Sequence, residues 1–202
     1  MNGHETEVKF FVRDLKKVEM RLQELKAHLI QPRVHEVNLR FDNADSSLRQ
    51  NLKVLRLRKD AEAKFTFKGP SEEREGGVLS RREIEFTVGD FDAAQQFLEA
   101  LGFIPVVFYE KFRATYELND VLIMLDELPY GTFVEIEGED IKTLHQVTDL
   151  LELNWEAMVK AGYHALFERA AAKHNLELSQ LSFKALEGVK IQPEELSIAP
   201  AD

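Results

Sequence analysis

The chain reads as an α+β protein built on eight antiparallel strands. Segments of alternating polarity recur between residues 4 and 138, with helical stretches between and after them. On nearly every strand one face carries charged side chains of both signs.

Residues 4–12 (HETEVKFFV) form the first strand, with Glu5, Glu7 and Lys9 on one face and Val8, Phe10 and Val12 on the other. Asp14 stands as an N-cap. Behind it Leu15, Val18, Leu22, Leu25 and Leu29 recur at three- and four-residue steps, predicting a helix over 15–30 that stops before Pro32. Residues 34–42 alternate again, with the register ambiguous at Val34 and Leu39, and DNADSS is turn chemistry. Strands near 52–59 and 63–68 set Arg56 and Arg58 against Leu55 and Leu57, and Lys64, Thr66 and Lys68 against Phe65 and Phe67.

GPSEEREGG is a polar, Gly-rich loop expected to be exposed and mobile. The next strand, 80–88, opposes Arg81, Glu83 and Glu85 to Ile84, Phe86 and Val88. Asp90 caps a second helix on Phe91, Ala94, Leu98 and Leu101, with Gly102 as its stop. Lys111, Arg113 and Thr115 share a face of a strand over 107–117. VLIMLD (121–126) ends in Asp126, and in 132–138 Phe133, Glu135 and Glu137 oppose Val134 and Ile136. Asp140 caps a third helix to about Leu151, and helical spacing continues over 155–174 through Met158, Ala161 and Phe167. Residues 1–175 thus read as one domain and 176–202 as a C-terminal extension, partly helical or frayed, with fraying expected at IQPEELSIAPAD.

Composition bounds the chemistry. The 36 acidic and 26 basic residues give a net charge of −10, which argues against a broad basic surface for nucleic acid but leaves room for a local phosphate site. No apolar run approaches a membrane span, and charges interrupt MNGHETEVKFFVRDLKK where a signal core would have to be, so a cytoplasmic location is expected. Zero cysteines exclude thiolate nucleophiles, disulfides and Cys-type metal centres. The six histidines show no HxH or HExxH spacing, there is no P-loop, and Ser46, Ser47 and Ser80 lack a nucleophile setting.

Charged residues at period two on one strand usually mean a solvated sheet face. An open eight-stranded sheet accommodates the pattern on every strand; a sheet curled into a closed barrel turns the same side chains into a charged lumen. Pooling the face gives Glu5, Glu7, Glu83, Glu85, Asp126, Glu135 and Glu137 with Lys9, Arg56, Arg58, Lys64, Lys68, Arg81, Lys111 and Arg113. Clustered carboxylates suit Mg²⁺ or Mn²⁺, and guanidinium and ammonium groups suit phosphate oxygens. The combination fits a polyanion bound with divalent metal; the bland alternative is mutual neutralisation as ion pairs.

Glu5-Thr6-Glu7-Val8-Lys9 resembles the ExExK signature of the CYTH superfamily, the triphosphate tunnel enzymes that include class IV adenylyl cyclases, thiamine triphosphatases and inorganic tripolyphosphatases. The resemblance continues through LRLRK (55–59), FTFKGP (65–70), SRREIEF (80–86), LGFIPV (101–106), EKFRATY (110–116), MLDELPYGTFVEIEG (124–138) and GYHALF (162–167), covering about residues 4–170. It implies an eight-stranded antiparallel closed β-barrel, the triphosphate tunnel, with flanking helices. By the same resemblance Glu5, Glu7, Asp126, Glu135 and Glu137 are metal-binding carboxylates, and Lys9, Arg56, Arg58, Lys68, Arg81, Lys111 and Arg113 hold the triphosphate, Lys9 and Arg113 being the catalytic pair. Glu83 and Glu85 match tunnel carboxylates that either bind metal or hold neighbouring bases. Val8 departs from the basic residue many tripolyphosphatases carry there, and EKFRATY and LPYGTFVEIE are more similar to the cyclase branch. The implied activity is conversion of ATP to cyclic AMP and pyrophosphate with Mg²⁺ or Mn²⁺. Triphosphate hydrolysis and a non-catalytic polyphosphate-binding module are the alternatives, with no nucleic-acid or membrane partner and with homodimerisation open.

Overall fold

The computed structural model describes residues 2–73, 79–177 and 179–202, with backbone alone at 2–5, 73, 79 and 180. Residues 74–78 of the Gly-rich loop lie outside the described residues. The strands are β1 (Asn2–Val12), β2 (His28–Asp42), β3 (Val54–Lys59), β4 (Ala63–Lys68), β5 (Glu72–Glu73), β6 (Leu79–Val88), β7 (Ile104–Leu118), β8 (Val121–Leu128), β9 (Gly131–Gly138) and β10 (Gln180–Leu181). The helices are α1 (Leu15–Glu24), α2 (Ser47–Gln50), α3 (Phe91–Ala100), α4 (Ile141–Leu150) and α5 (Tyr163–His174).

Eight antiparallel strands pair in the order β1-β9-β8-β7-β2-β3-β4-β6, and β6 pairs back onto β1, so the sheet closes into a ring. Of the two arrangements the charge pattern permits, the closed one forms. Asp14, Asp90 and Asp140 each accept the backbone N–H three residues on, from Lys17, Ala93 and Thr143, as the sequence predicts. The β7–β8 hairpin turns on Asn119 and Asp120, with φ of 55° and 60°, the left-handed pair that matches the twist of the strands.

One strand face feeds the outer core and the other the lumen. Val8, Phe10, Val12, Val134 and Ile136 pack with Val18 and Leu22 of α1 and Leu144 and Val147 of α4. Phe41 and Leu57 pack with Ala94 and Leu98 of α3. At one end the inward face turns apolar: Phe11, Tyr109, Leu128 and Phe133 share the parity of Lys9, Lys111, Asp126 and Glu135, and they pack against Leu166, Phe167 and Ala170 of α5. Helix α5 therefore closes that end. Gly131 (φ +154°) is required there, since a Cβ would sit 2.8 Å from the Phe11 ring.

Three sequence expectations are corrected. The helix over 15–30 ends at Glu24, because Lys26 turns left-handed (φ 57°) and the Ala27 N–H closes onto Leu22 O, and the chain enters β2 at His28. Pro32 is absorbed by a register shift in the β2–β7 pairing between Gln31 and Val34, where its missing N–H does no harm. The helix over 155–174 is broken: a 3₁₀ turn at Trp155–Ala157 precedes an extended stretch, and α5 begins only after Gly162.

That break and the ordered tail have one cause. Among the described residues, β1 has no partner from β6 beyond Glu7. The vacant edge is met by Val159 N–H donating to Lys9 O (2.7 Å) and Ala201 N–H donating to Phe11 O (2.9 Å). The Asp202 carboxylate then accepts from the Arg13 and Asp14 N–H groups. Residues 191–202, expected to fray, pack instead, with Leu196 fully buried. Leu196→Ala is therefore expected to cost about 2–5 kcal/mol in denaturant unfolding; an unchanged midpoint would mean that the tail contributes nothing.

Candidate active site inside the ring

Antiparallel pairing puts directly opposed residues on the same face, so the registers decide which side chains meet. Lys9 opposes Glu135, Glu7 opposes Glu137, Arg113 opposes Asp126, and Glu36 opposes Lys111. Arg58 opposes Lys64, Glu85 opposes Thr66, and Lys68 opposes Glu83. Every charged residue named from strand parity thus falls on one common face. Contacts that skip a strand, from Arg113 on β7 to Glu135 on β9 and from Arg56 on β3 to Tyr109 on β7, identify that face as the concave one. For Glu5 the backbone alone places it, opposite Arg81.

Asp126 has no exposed surface. It accepts from Lys111 Nζ (3.1 Å), Arg113 Nε (2.6 Å) and the Tyr163 hydroxyl (2.7 Å). Arg113 reaches on to Glu135, whose other oxygen takes Lys9 Nζ at 2.8 Å. The Tyr163 ring lies under both ammonium groups, 4.3 Å from Lys9 Nζ and 5.2 Å from Lys111 Nζ. Burial pushes the Glu135 carboxyl up, but Lys9, Arg113 and Lys111 outweigh it and hold the group well below the usual carboxylate range. Burial, reinforced by Asp126 and Glu135, pushes the Tyr163 hydroxyl well up, so it stays a donor.

A second network spans β2, β3, β4 and β6. Glu36 lies between Lys111 Nζ (3.6 Å) and Arg58 (3.7 Å) and accepts from Asn38 Nδ2 (2.9 Å). Its Oε2 is buried without a hydrogen bond. Burial raises the Glu36 carboxyl, yet Lys111, Arg113, Arg56 and Arg58 together drive it far below its ordinary value. Arg56 donates to Tyr109 OH (3.3 Å) and Thr66 Oγ1 (3.1 Å), while Glu85 is shared among Arg58 (3.2 Å), Arg56 (3.7 Å) and Lys64 (3.7 Å). Nearer the start of β1, Lys68 pairs with Glu83 (2.9 Å) and Arg81 approaches Glu7 (3.5 Å).

The bases expected from sequence converge, but the five carboxylates assigned to metal do not form one cluster. Asp126 and Glu135 are engaged by bases, and Glu7 and Glu137 oppose each other two positions further along β1. Among the described residues no group of three or more His, Asp or Glu is placed to hold a metal ion. Glu83 and Glu85 hold neighbouring bases, Lys68 for the first and Arg58 for the second.

Sequence reasoning missed Glu36, Asn38, Arg40, Tyr109 and Tyr163. The first three follow the same alternation in VHEVNLRFD, and Tyr109 lies one strand period before Lys111, so parity carried the signal for all four. Tyr163 enters from a helix, where strand parity says nothing.

The depressed carboxyl of Glu36 predicts an acid limb with a definite sign. A carboxyl whose folded pKa lies below its ordinary value of 4.5 contributes stability that is fully present above about pH 4.5 and is lost as pH falls toward the folded value. Unfolding midpoints of Glu36→Gln should therefore be lower than wild type at neutral pH and decline less steeply below about pH 4.5. Parallel curves would show that Glu36 carries no net charge coupling.

Comparison with known proteins agrees with the ring. The CYTH domain model matches residues 3–166. A putative adenylate cyclase from Vibrio parahaemolyticus is 20% identical with a TM-score of 0.74, covering 83% of this chain and 99% of that one. A Pyrococcus horikoshii protein is 25% identical with a TM-score of 0.65, over 79% of this chain and 96% of its own. A Hippeastrum putative adenylyl cyclase, described as having a dominant triphosphatase activity, is 19% identical with a TM-score of 0.62, over 81% and 95%. A search of curated proteins finds no match. With a closed eight-stranded ring, a charged concave face and a family match over most of its length, the chain belongs to the CYTH domain family.

Proposed function

We propose that the protein is a divalent-metal-dependent enzyme that binds a triphosphate inside the ring and converts ATP to cyclic AMP and pyrophosphate. The observation that carries the triphosphate reading is the convergence of Lys9, Lys111 and Arg113 from one wall and Arg56, Arg58 and Lys68 from the other onto one enclosed face. Such a surface attracts a compact polyanion, because ammonium and guanidinium groups in a low-dielectric enclosure bind phosphoryl oxygens more strongly than they do in water. The cyclase reading rests on the similarity of residues 110–116 and 128–138 to that branch. Triphosphate hydrolysis is the second reading, favoured by the activity described for the Hippeastrum protein.

In either chemistry Lys111 and Arg113 hold the phosphate chain while Asp126, locked by three donors, fixes their positions. Lys9 and Arg113 offset the charge that develops on the departing phosphate. Their pairing with Glu135 keeps them aimed at the lumen until substrate oxygens compete for them.

The donor set fits a hard cation at one place better than another. Asp126 and Glu135 are held by bases at 3.1 Å or less, whereas Glu7 has its nearest bases at 3.5 Å and 4.0 Å and stands directly opposite Glu137, a like-charge pair that a cation relieves, with Glu5 two residues away on β1. Glu7 and Glu137, with Glu5, would hold Mg²⁺ or Mn²⁺, which when bound supplies charge neutralisation and activates the attacking oxygen.

Product analysis with ATP, thiamine triphosphate and inorganic triphosphate in parallel, with Mg²⁺ or Mn²⁺, tests the proposal. Cyclic AMP and pyrophosphate from ATP are expected, with no cyclic product from an ATP analogue lacking the 3′-hydroxyl although it still binds. Glu7→Gln should lower turnover about a hundredfold or more with little change in the unfolding midpoint. Orthophosphate from inorganic triphosphate with no cyclic nucleotide under either metal would replace the cyclase reading with the hydrolase one.

A further inference from the structure

Arg40 is a cation on the inner face that the networks above leave out. Its position in β2 follows Glu36 and Asn38 at the two-residue period, and the registers put it opposite Arg56 on β3 and Val107 on β7. One neighbour is therefore a like charge and the other is apolar. The side chain is partly buried, and among the described residues it makes no hydrogen bond or ion pair. Such a placement is costly, because a half-enclosed guanidinium normally finds a carboxylate or a carbonyl.

Among the described residues the surrounding wall offers it no ion pair, and Asp42, one strand period on, is taken by the N–H groups of Asn43, Leu48 and Arg49. Glu85, the carboxylate paired with Arg56, already serves Arg56, Arg58 and Lys64. Arg49, at the end of α2, is taken by Glu168 of α5 at 2.8 Å. Arg56 spends its two terminal nitrogens on Tyr109 and Thr66, and its Nε is buried without an acceptor. Burial makes protonated Arg40 less favourable than it is in water; Tyr109 works the other way, but the positive charges of Arg56, Arg49 and Arg81 add to the cost. Among the described residues, then, Arg40 and the Nε of Arg56 are left without an acceptor in this part of the wall.

We propose that Arg40 and Arg56 form an oxyanion position in the ring wall that takes a phosphoryl group of the substrate, making Arg40 a substrate-binding residue. The assignment rests on the triphosphate reading and extends it. A phosphoryl group fits better than a carboxylate because it presents several charged oxygens to two guanidinium forks on adjacent strands, and more than one negative charge is needed to offset both. The ligand-free protein bears the repulsion so that the substrate can relieve it, which is a stability cost kept for binding.

Arg40→Gln separates this role from a structural one. The expected result is inorganic triphosphate binding weakened about tenfold by isothermal titration calorimetry, with a ligand-free Tm equal to or above that of wild type. Arg49→Gln, which removes an exposed arginine, should bind like wild type. Unchanged affinity in Arg40→Gln overturns the assignment. So does a lowered ligand-free Tm, which would make Arg40 a structural residue whose loss disturbs the wall. Wild type that binds no triphosphate fails differently, removing the triphosphate reading and this assignment with it.

Discussion

The pairing of β6 onto β1 is the constraint on which the rest depends. An open sheet would leave its polar face in water, where ion pairs contribute little. Closure brings that face together in a space where a carboxylate without a partner is costly, so each buried acid must meet a base. Asp126, with Lys111, Arg113 and Tyr163 around it, shows how completely that demand is satisfied at the centre. Removing one partner from such a cluster typically costs about 3–5 kcal/mol, because the remaining charge is stranded.

Satisfaction is uneven, and the unevenness has functional content. Around Asp126 and Glu135 acids and bases match closely and the geometry is fixed. Along β3 and β4 Glu85 is shared among Arg56, Arg58 and Lys64, and among the described residues Arg40 on β2 makes no ion pair. At the start of β1 two glutamates oppose each other. The lumen thus holds a closely paired middle and, along β2 and β3, a wall where Arg40 and Arg56 stand opposite each other. Helix α5 supports the middle from one end by sending Tyr163 between Lys9 and Lys111.

Much of this was legible in the sequence because a strand's period of two is insensitive to small errors in its ends. The strands β2 and β7 extend several residues beyond the alternating segments at 34–42 and 107–117, yet Lys111 and Arg113 keep their face. Parity also marks Glu36 and Arg40, but charge alone does not reveal enclosure. What spacing could not carry was the contest between local pattern and edge completion. Helical periodicity over 155–174 is real, but the unpaired edge of β1 draws Val159 into an extended bond with Lys9, and Ala201 completes the same edge from the far end of the chain. Leu25 and Leu29 suggested a longer α1 for a similar reason: local spacing favours the helix, and pairing with β7 takes His28 and Leu29 into the ring.

A crystal structure with inorganic triphosphate and Mn²⁺, the metal located by its anomalous signal, tests the central claim most directly. The account predicts the phosphate chain inside the ring, its oxygens within hydrogen-bond distance of Lys111 and Arg113 on one wall and Arg56 on the other, with Mn²⁺ at Glu7 and Glu137. Triphosphate bound only on the outer surface, with the Lys9–Glu135 and Arg113–Asp126 contacts undisturbed in an empty ring, would contradict it.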